Sequence, residues 1–105
     1  MAQFTVYRNR NPRSRSAFPF LVDIQSDLIG ELQSRVVIPL TKVAALTRKP
    51  VAHLMPMVQL EGESYVLMTP DLAAMSRNDL GPPAGSLAER RDAIVAALDF
   101  LIFGF

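Results

Sequence analysis

Cysteine and tryptophan are absent from this chain of 105 residues, and histidine occurs once. Without thiols there can be no disulfide framework, no thiolate zinc site and no cysteine nucleophile, and the usage fits a reducing compartment. His53 stands beside Leu54 and Met55 with no second ligand at metal spacing, so it is expected to be structural rather than catalytic or metal-binding. No run approaches the roughly twenty apolar residues that cross a bilayer, and the opening MAQFTVYRNR lacks the apolar core of a secretory signal. A soluble, cytoplasmic protein without a membrane partner is expected. The phosphate-loop, dinucleotide, zinc-protease and nucleophile-elbow motifs are all missing. Glu61 and Glu63 flank a hairpin tip where solvated carboxylates are ordinary. No catalytic residue, cofactor or metal is therefore assigned.

What the chain does contain is apolar content and uneven charge. Half of its residues are hydrophobic and the net charge is +1. A chain of this size forms one domain, here 1–105, and buries on the order of two-thirds of its unfolded surface. Arg8, Arg10, Arg13 and Arg15 all precede the first acid, Asp23. Such a run is either a solvated loop or a landing site for an acidic peptide or for phosphates.

Alternation predicts a strand over Gln3–Tyr7 with Phe4 and Val6 inward, a turn over Asn9–Ser16, and a doubly buried strand over Phe18–Ile24. Leu28 and Ile29 lie side by side in a polar loop, tucked under it or offered to a partner. RVVIPL at 35–40 reads as a strand whose Pro39 must sit at an end, an edge or a bulge. Thr41–Leu46 can form a helical turn, broken by Lys49 and Pro50. Met55–Leu60 and Ser64–Thr69 read as a hairpin around Glu61, Gly62 and Glu63, and Asp71–Met75 as a turn or short strand. A β-rich body over about 1–76 is followed by an apparent linker, 77–85, with two glycines and two prolines.

Ser86 and Glu89 make a capping box, which predicts a helix over 86–105. Leu87, Ile94, Leu98, Leu101 and Phe105 fall on one stripe, the expected core face. After Asp99 the residues Phe100 to Phe105 are apolar on every side, more than docking on one domain requires. A second chain or another protein is expected to cover the surplus. The fold read from these elements is mainly β with one C-terminal α-helix: a small bent antiparallel sheet or partial barrel, its free edges favouring a symmetric dimer.

Three segments taken together, FLVDIQSDLI at 20–29, RVVIPL at 35–40 and the terminal helix closing in FGF, resemble the CcdB family of toxin–antitoxin toxins. QFTVY, LMPMVQL at 54–60 and LMTPDLAAM at 67–75 extend the resemblance over nearly the whole chain. It implies a CcdB/MazF-like, SH3-like partial barrel, homodimeric, related to messenger-RNA-cleaving toxins. It also implies a bacterial, non-enzymatic inhibitor whose helix ends bind the DNA gyrase A subunit and trap gyrase on cleaved DNA. Carried over by position, the gyrase-binding residues are Leu28, Ile29, Asp99, Ile102, Phe103, Gly104 and Phe105. The family's toxic member ends in tryptophan, glycine and isoleucine, and its tryptophan stacks on gyrase arginines; Phe103 and Phe105 are departures. A cognate antitoxin is implied, and its expected surface is the hairpin tip with Thr41–Pro50, represented by Arg8, Arg10, Arg13, Arg15 and Lys42. Sequence-specific DNA contact is expected only through the antitoxin complex. Two alternatives remain at this point: a ribonuclease on the related barrel, and a non-toxic homologue that keeps antitoxin binding.

Overall fold

The computed structural model describes residues 2–105. Seven strands form one antiparallel sheet: β1 Thr5–Asn9, β2 Phe20–Asp23, β3 Ser34–Lys42, β4 Met57–Leu60, β5 Glu63–Leu67, β6 Ala73–Ser76 and β7 Leu80–Ser86. Among the described residues there is a single α-helix, α1, which spans Arg91–Phe103. The strands run in the order β4-β5-β3-β2-β1-β7, with β6 also paired to β3. The sheet curls on itself. Gly85 in β7 lies so near β4 that a Cβ there would stand 3.0 Å from Leu60 Cδ1, and Arg8 in β1 reaches Glu61 at 2.6 Å. The result is the expected mainly β half-barrel with one C-terminal helix.

Alternation along the strands sorts the core. Val6, Phe20, Val22, Ile38, Leu40, Val58, Leu60, Tyr65 and Leu67 fill the main cluster together with Leu87 and Ile94 from the helical end. Tyr7, Leu21, Val37 and Leu80 form a smaller cluster from the intervening positions. All four residues of β2 are buried, as its dense apolar content predicts. Tyr7 is also buried, because β1 carries apolar contacts on both of its faces.

Pro39 lies near the middle of β3, not at its end. On one side β3 pairs first with β6, as far as Val37↔Ala73, and then with β5, beginning at Leu40↔Leu67. The Pro39 carbonyl faces that side and accepts from the Met68 N–H at 2.8 Å. The missing N–H therefore falls at the seam between two partners, which serves as a local edge. The β4–β5 hairpin closes through Glu61 and Gly62, with φ of 52° and 77°. Two positive φ values in a two-residue loop match the twist of the strands they join.

The segment 77–85 is not a linker. After one short helical turn over Arg77–Asp79, it becomes the edge strand β7, paired to β1 with register shifts on either side of Tyr7. An edge strand with an irregular register tolerates Pro82 and Pro83, which cannot donate to a ladder. The helix accordingly starts later than Ser86. Ser86 ends β7, and the Leu87 N–H is committed to the Phe4 carbonyl at 2.8 Å. The Ser86 hydroxyl accepts instead from the Ala88 N–H at 3.2 Å, introducing a short 3-10 turn over Ala88–Arg90 before α1. Phe4 itself holds φ of 69°, uncommon for a residue with a bulky side chain. Its N–H donates to the Asp23 carbonyl at 2.6 Å, so one strained residue ties β2 to the start of the helical segment.

Candidate functional site

The inner face of α1 is set by Ile94 and Ala97, both fully buried, with Leu98 packed against the same core. Beyond Asp99 the helix outruns the domain. Ile102 and Phe103 are 63% and 65% exposed, Phe105 is 87% exposed, and Phe100 is also at the surface. Phe105 thus leaves the stripe on which the sequence placed it, because the helix stops at Phe103 and Gly104 adopts a left-handed φ of 83°. The Gly104 N–H closes on the Phe100 carbonyl at 2.9 Å, the helix-ending turn that glycine permits at no steric cost. That reversal sets the rings of Phe103 and Phe105 6.3 Å apart with 30° between their planes. Asp99 is exposed one turn earlier, and the last turn carries no basic side chain. The tip is therefore apolar and faintly negative, with aromatic faces and unpaired carbonyls open to a cationic or apolar partner.

Leu28 and Ile29 occupy a short 3-10 turn, Asp27–Ile29, in the β2–β3 loop, where they are 94% and 50% exposed. They are offered outward, not tucked under the loop. Leu32, in the same loop, is 52% exposed, a third outward apolar side chain that sequence reading did not single out. Beneath the loop lies a polar network. Arg35 donates through Nε and Nη2 to Asp23 Oδ2, at 3.0 and 2.6 Å, with both side chains fully buried. Arg35 Nη1 reaches the Gly30 carbonyl at 3.0 Å. Gln25 donates to the Ile29 carbonyl and accepts from the Val36 N–H, each at 3.0 Å. The Gln3 N–H holds Asp27 Oδ1 at 2.7 Å. No hydrogen bond or ion pair among the described residues joins this loop to the helix tip of the same chain.

The basic tip between β1 and β2 is cross-linked by its own side chains. Asn9 Nδ2 donates to Ser14 Oγ and to the Phe18 carbonyl, both at 2.9 Å. The Asn11 carboxamide oxygen accepts from the Arg13 N–H at 3.0 Å, and its backbone carbonyl from the Arg15 N–H at 2.9 Å. Arg10, Arg13 and Arg15 are exposed and form no ion pair among the described residues. Arg8 and Lys42 differ. Arg8 pairs with Glu61 and lies 5.2 Å over the Phe20 ring, and Lys42 pairs with Glu63 at 3.4 Å. The Thr41 hydroxyl donates to the Ala17 carbonyl at 2.9 Å, which joins the base of the basic tip to the end of β3 and so to the segment that follows it. His53 is exposed in a turn with φ of 66°. Burial in the core pushes the Tyr65 hydroxyl above its ordinary range, Glu63 adds to the shift, and Lys42 opposes it. No three His, Cys, Asp or Glu side chains among the described residues group closely enough to hold a metal ion, and no helix among them is long and apolar enough to cross a membrane.

The fold is thus a curled half-barrel with one helix whose apolar end stands exposed past the core. The chain belongs to the CcdB family: the family model described as CcdB protein matches residues 3–104. Among solved structures, the chain is similar to an endoribonuclease from Mycobacterial species in complex with its cognate antitoxin. The TM-score is 0.76 at 16% identity, over 97% of this chain and 94% of the other. At that identity the likeness is one of fold.

Proposed function

We propose that this protein is the toxin of a type II toxin–antitoxin module, a cytoplasmic homodimer that poisons DNA gyrase without catalysing a reaction of its own. The observation that carries the reading is the ordered apolar helix end, Ile102 to Phe105, which stands in solvent where its own domain offers no cover. Membership of the CcdB family supplies the target. The tip and the Leu28–Ile29 loop bind the gyrase A subunit, and binding energy that favours the cleaved-DNA state over the resealed one shifts the population toward it. Cleavage is gyrase's own chemistry. The antitoxin covers the basic tip, where Arg10, Arg13 and Arg15 lack acidic partners and suit an acidic segment that folds on binding.

The test mixes purified protein with supercoiled plasmid, gyrase and ATP, then measures linear DNA after detergent and protease. Linear product is expected with the full chain and not with one ending at Ile102. Equal product from both would overturn the role of the tip.

A second reading, a ribonuclease, is favoured by two observations: the fold is shared with an endoribonuclease, and Arg10, Arg13 and Arg15 are exposed without ion pairs among the described residues, free to hold a phosphate backbone. RNA cleavage by the purified protein, lost on Arg13→Ala or Arg15→Ala, would establish it. A homologue that binds antitoxin but has lost toxicity would show neither product.

A further inference from the structure

The Gly30 carbonyl, at the crest of the β2–β3 loop, accepts from two guanidinium groups. Arg35 reaches it from within the core, and Arg77 Nη2 reaches it at 2.7 Å from the turn after β6. The same turn grips the loop a second time, because the Arg77 N–H donates to the Gln33 carbonyl at 3.0 Å. A third tie runs from Gln33 Nε2 to Ser76 Oγ at 3.2 Å. Leu28 and Ile29 thus precede, and Leu32 lies between, two tethered points, Gly30 and Gln33. Arg35 is committed to Asp23, whereas no carboxylate pairs with Arg77 among the described residues.

Arg77 is a poor choice for stability alone. Its Nε is buried without a hydrogen-bond partner, a cost that an unbranched apolar side chain of similar length would avoid. The adjoining strands are already joined by the β3–β6 ladder, from Ser34↔Ser76 to Val37↔Ala73. What the guanidinium adds is a second anchor for Gly30 beside Arg35, and so a firmer position for the 3-10 turn before it. A three-residue turn of that kind has little stability of its own.

We propose that Arg77 is a positioning residue for the partner-binding loop, and that Leu32 belongs to the apolar surface which that loop presents. The proposal rests on the gyrase reading above for the partner's identity. Fixing the loop in advance removes an ordering cost from binding, so the tether acts on affinity more than on the fold.

The test compares the full-length chain with Arg77→Met, which keeps the stem and removes the donors, and Arg77→Lys, which keeps one donor group and the charge. Hydrogen exchange is followed at amides 26–33, with amides 10–18 of the basic tip as the internal control. In Arg77→Met, exchange over 26–33 is expected to rise about tenfold while the control is unchanged, as loss of one charge-assisted hydrogen bond implies. The protein concentration giving half-maximal linear DNA is expected to rise about tenfold as well, and Arg77→Lys to recover most of both effects. Leu32→Ser is expected to weaken poisoning with loop exchange unchanged. Unaltered loop exchange in Arg77→Met overturns the positioning role, as does acceleration spread over the whole sheet, which would make the residue simply structural. Unaltered poisoning by Leu32→Ser removes Leu32 from the surface. If the wild-type chain gives no linear DNA, the gyrase reading fails by itself, and the exchange data still decide whether Arg77 holds the loop.

Discussion

Asp23 and Arg35 are the residues on which the interior most depends. Removing one partner of a fully buried pair leaves the other charge uncompensated, so Asp23→Asn is expected to cost about 3–5 kcal/mol, read by urea denaturation. Tyr65 supplies the pH dependence. Its hydroxyl titrates higher in the folded chain than in the unfolded one, so the folded state favours the neutral phenol. That contribution is complete below the ordinary tyrosine value of about 10 and is lost as pH rises through the folded value. Melting temperature is therefore expected to fall above about pH 10, and less steeply in Tyr65→Phe, which has no proton to lose there. At the exposed tip the choice of ring matters. Tryptophan is a better cation–π surface than phenylalanine, and a gain of about 1 kcal/mol would make Phe103→Trp about fivefold more potent in the linear-DNA assay. Of these residues the sequence made Phe103 legible, through its place in an apolar terminus. The Asp23–Arg35 pair was not, because a sequence separation of twelve conceals a contact that only the β2–β3 pairing creates.

Among the elements, α1 and its ending show why some boundaries can be read and others cannot. The buried Ile94 and the half-buried Leu98 followed from helical spacing, since one stripe meets the core, whereas Leu87 is buried from outside the helix. The helix start did not, because a capping box is a local signal and a tertiary bond from Leu87 to Phe4 overrode it. Likewise the prolines and glycines of 77–85 suggested a loop by composition, while pairing with β1 made them a strand. The exposed loop pair and the basic tip were legible as types of surface. Their rigidity was not, since it depends on Gln25, Arg35 and the Asn9–Ser14 bond. Gly104 carries the last step of the helix. No atom would meet a Cβ there, so only the backbone angle opposes substitution. Gly104→Ala is expected to cost about 1 kcal/mol locally, to leave the melting temperature nearly unchanged because the end is already exposed, and to lower poisoning by separating the Phe103 and Phe105 rings.

For the whole molecule, the surplus of apolar surface sets the expectation of assembly. Leu28, Ile29, Leu32, Ile102, Phe103 and Phe105 are all half exposed or more in the isolated chain. Sedimentation equilibrium is expected to give twice the monomer mass at micromolar concentration, and a monomer throughout would remove the symmetric arrangement on which the gyrase reading depends. The mainly β architecture and its bend into a partial barrel were legible because strand alternation and turn residues recur through the body, whereas the approach of β7 to β4 at Gly85 and Leu60 was not, because it joins strands distant in the sequence. The edges of that sheet bear on a different hazard. The sheet leaves β4, β7 and the outer side of β6 without a partner strand among the described residues, and open strands invite runaway polymerisation when a protein is abundant. β7 contains the adjacent prolines Pro82 and Pro83, and because successive backbone donors alternate sides, the pair removes a donor from the outer edge that an added strand would need. On β4 the outward Met57 carbonyl is already taken by Arg90 Nη2 at 3.2 Å. A neighbour laid along β4 or β7 finds an incomplete ladder, so growth into fibrils through those two strands is discouraged, leaving the exposed helix end for a selected partner.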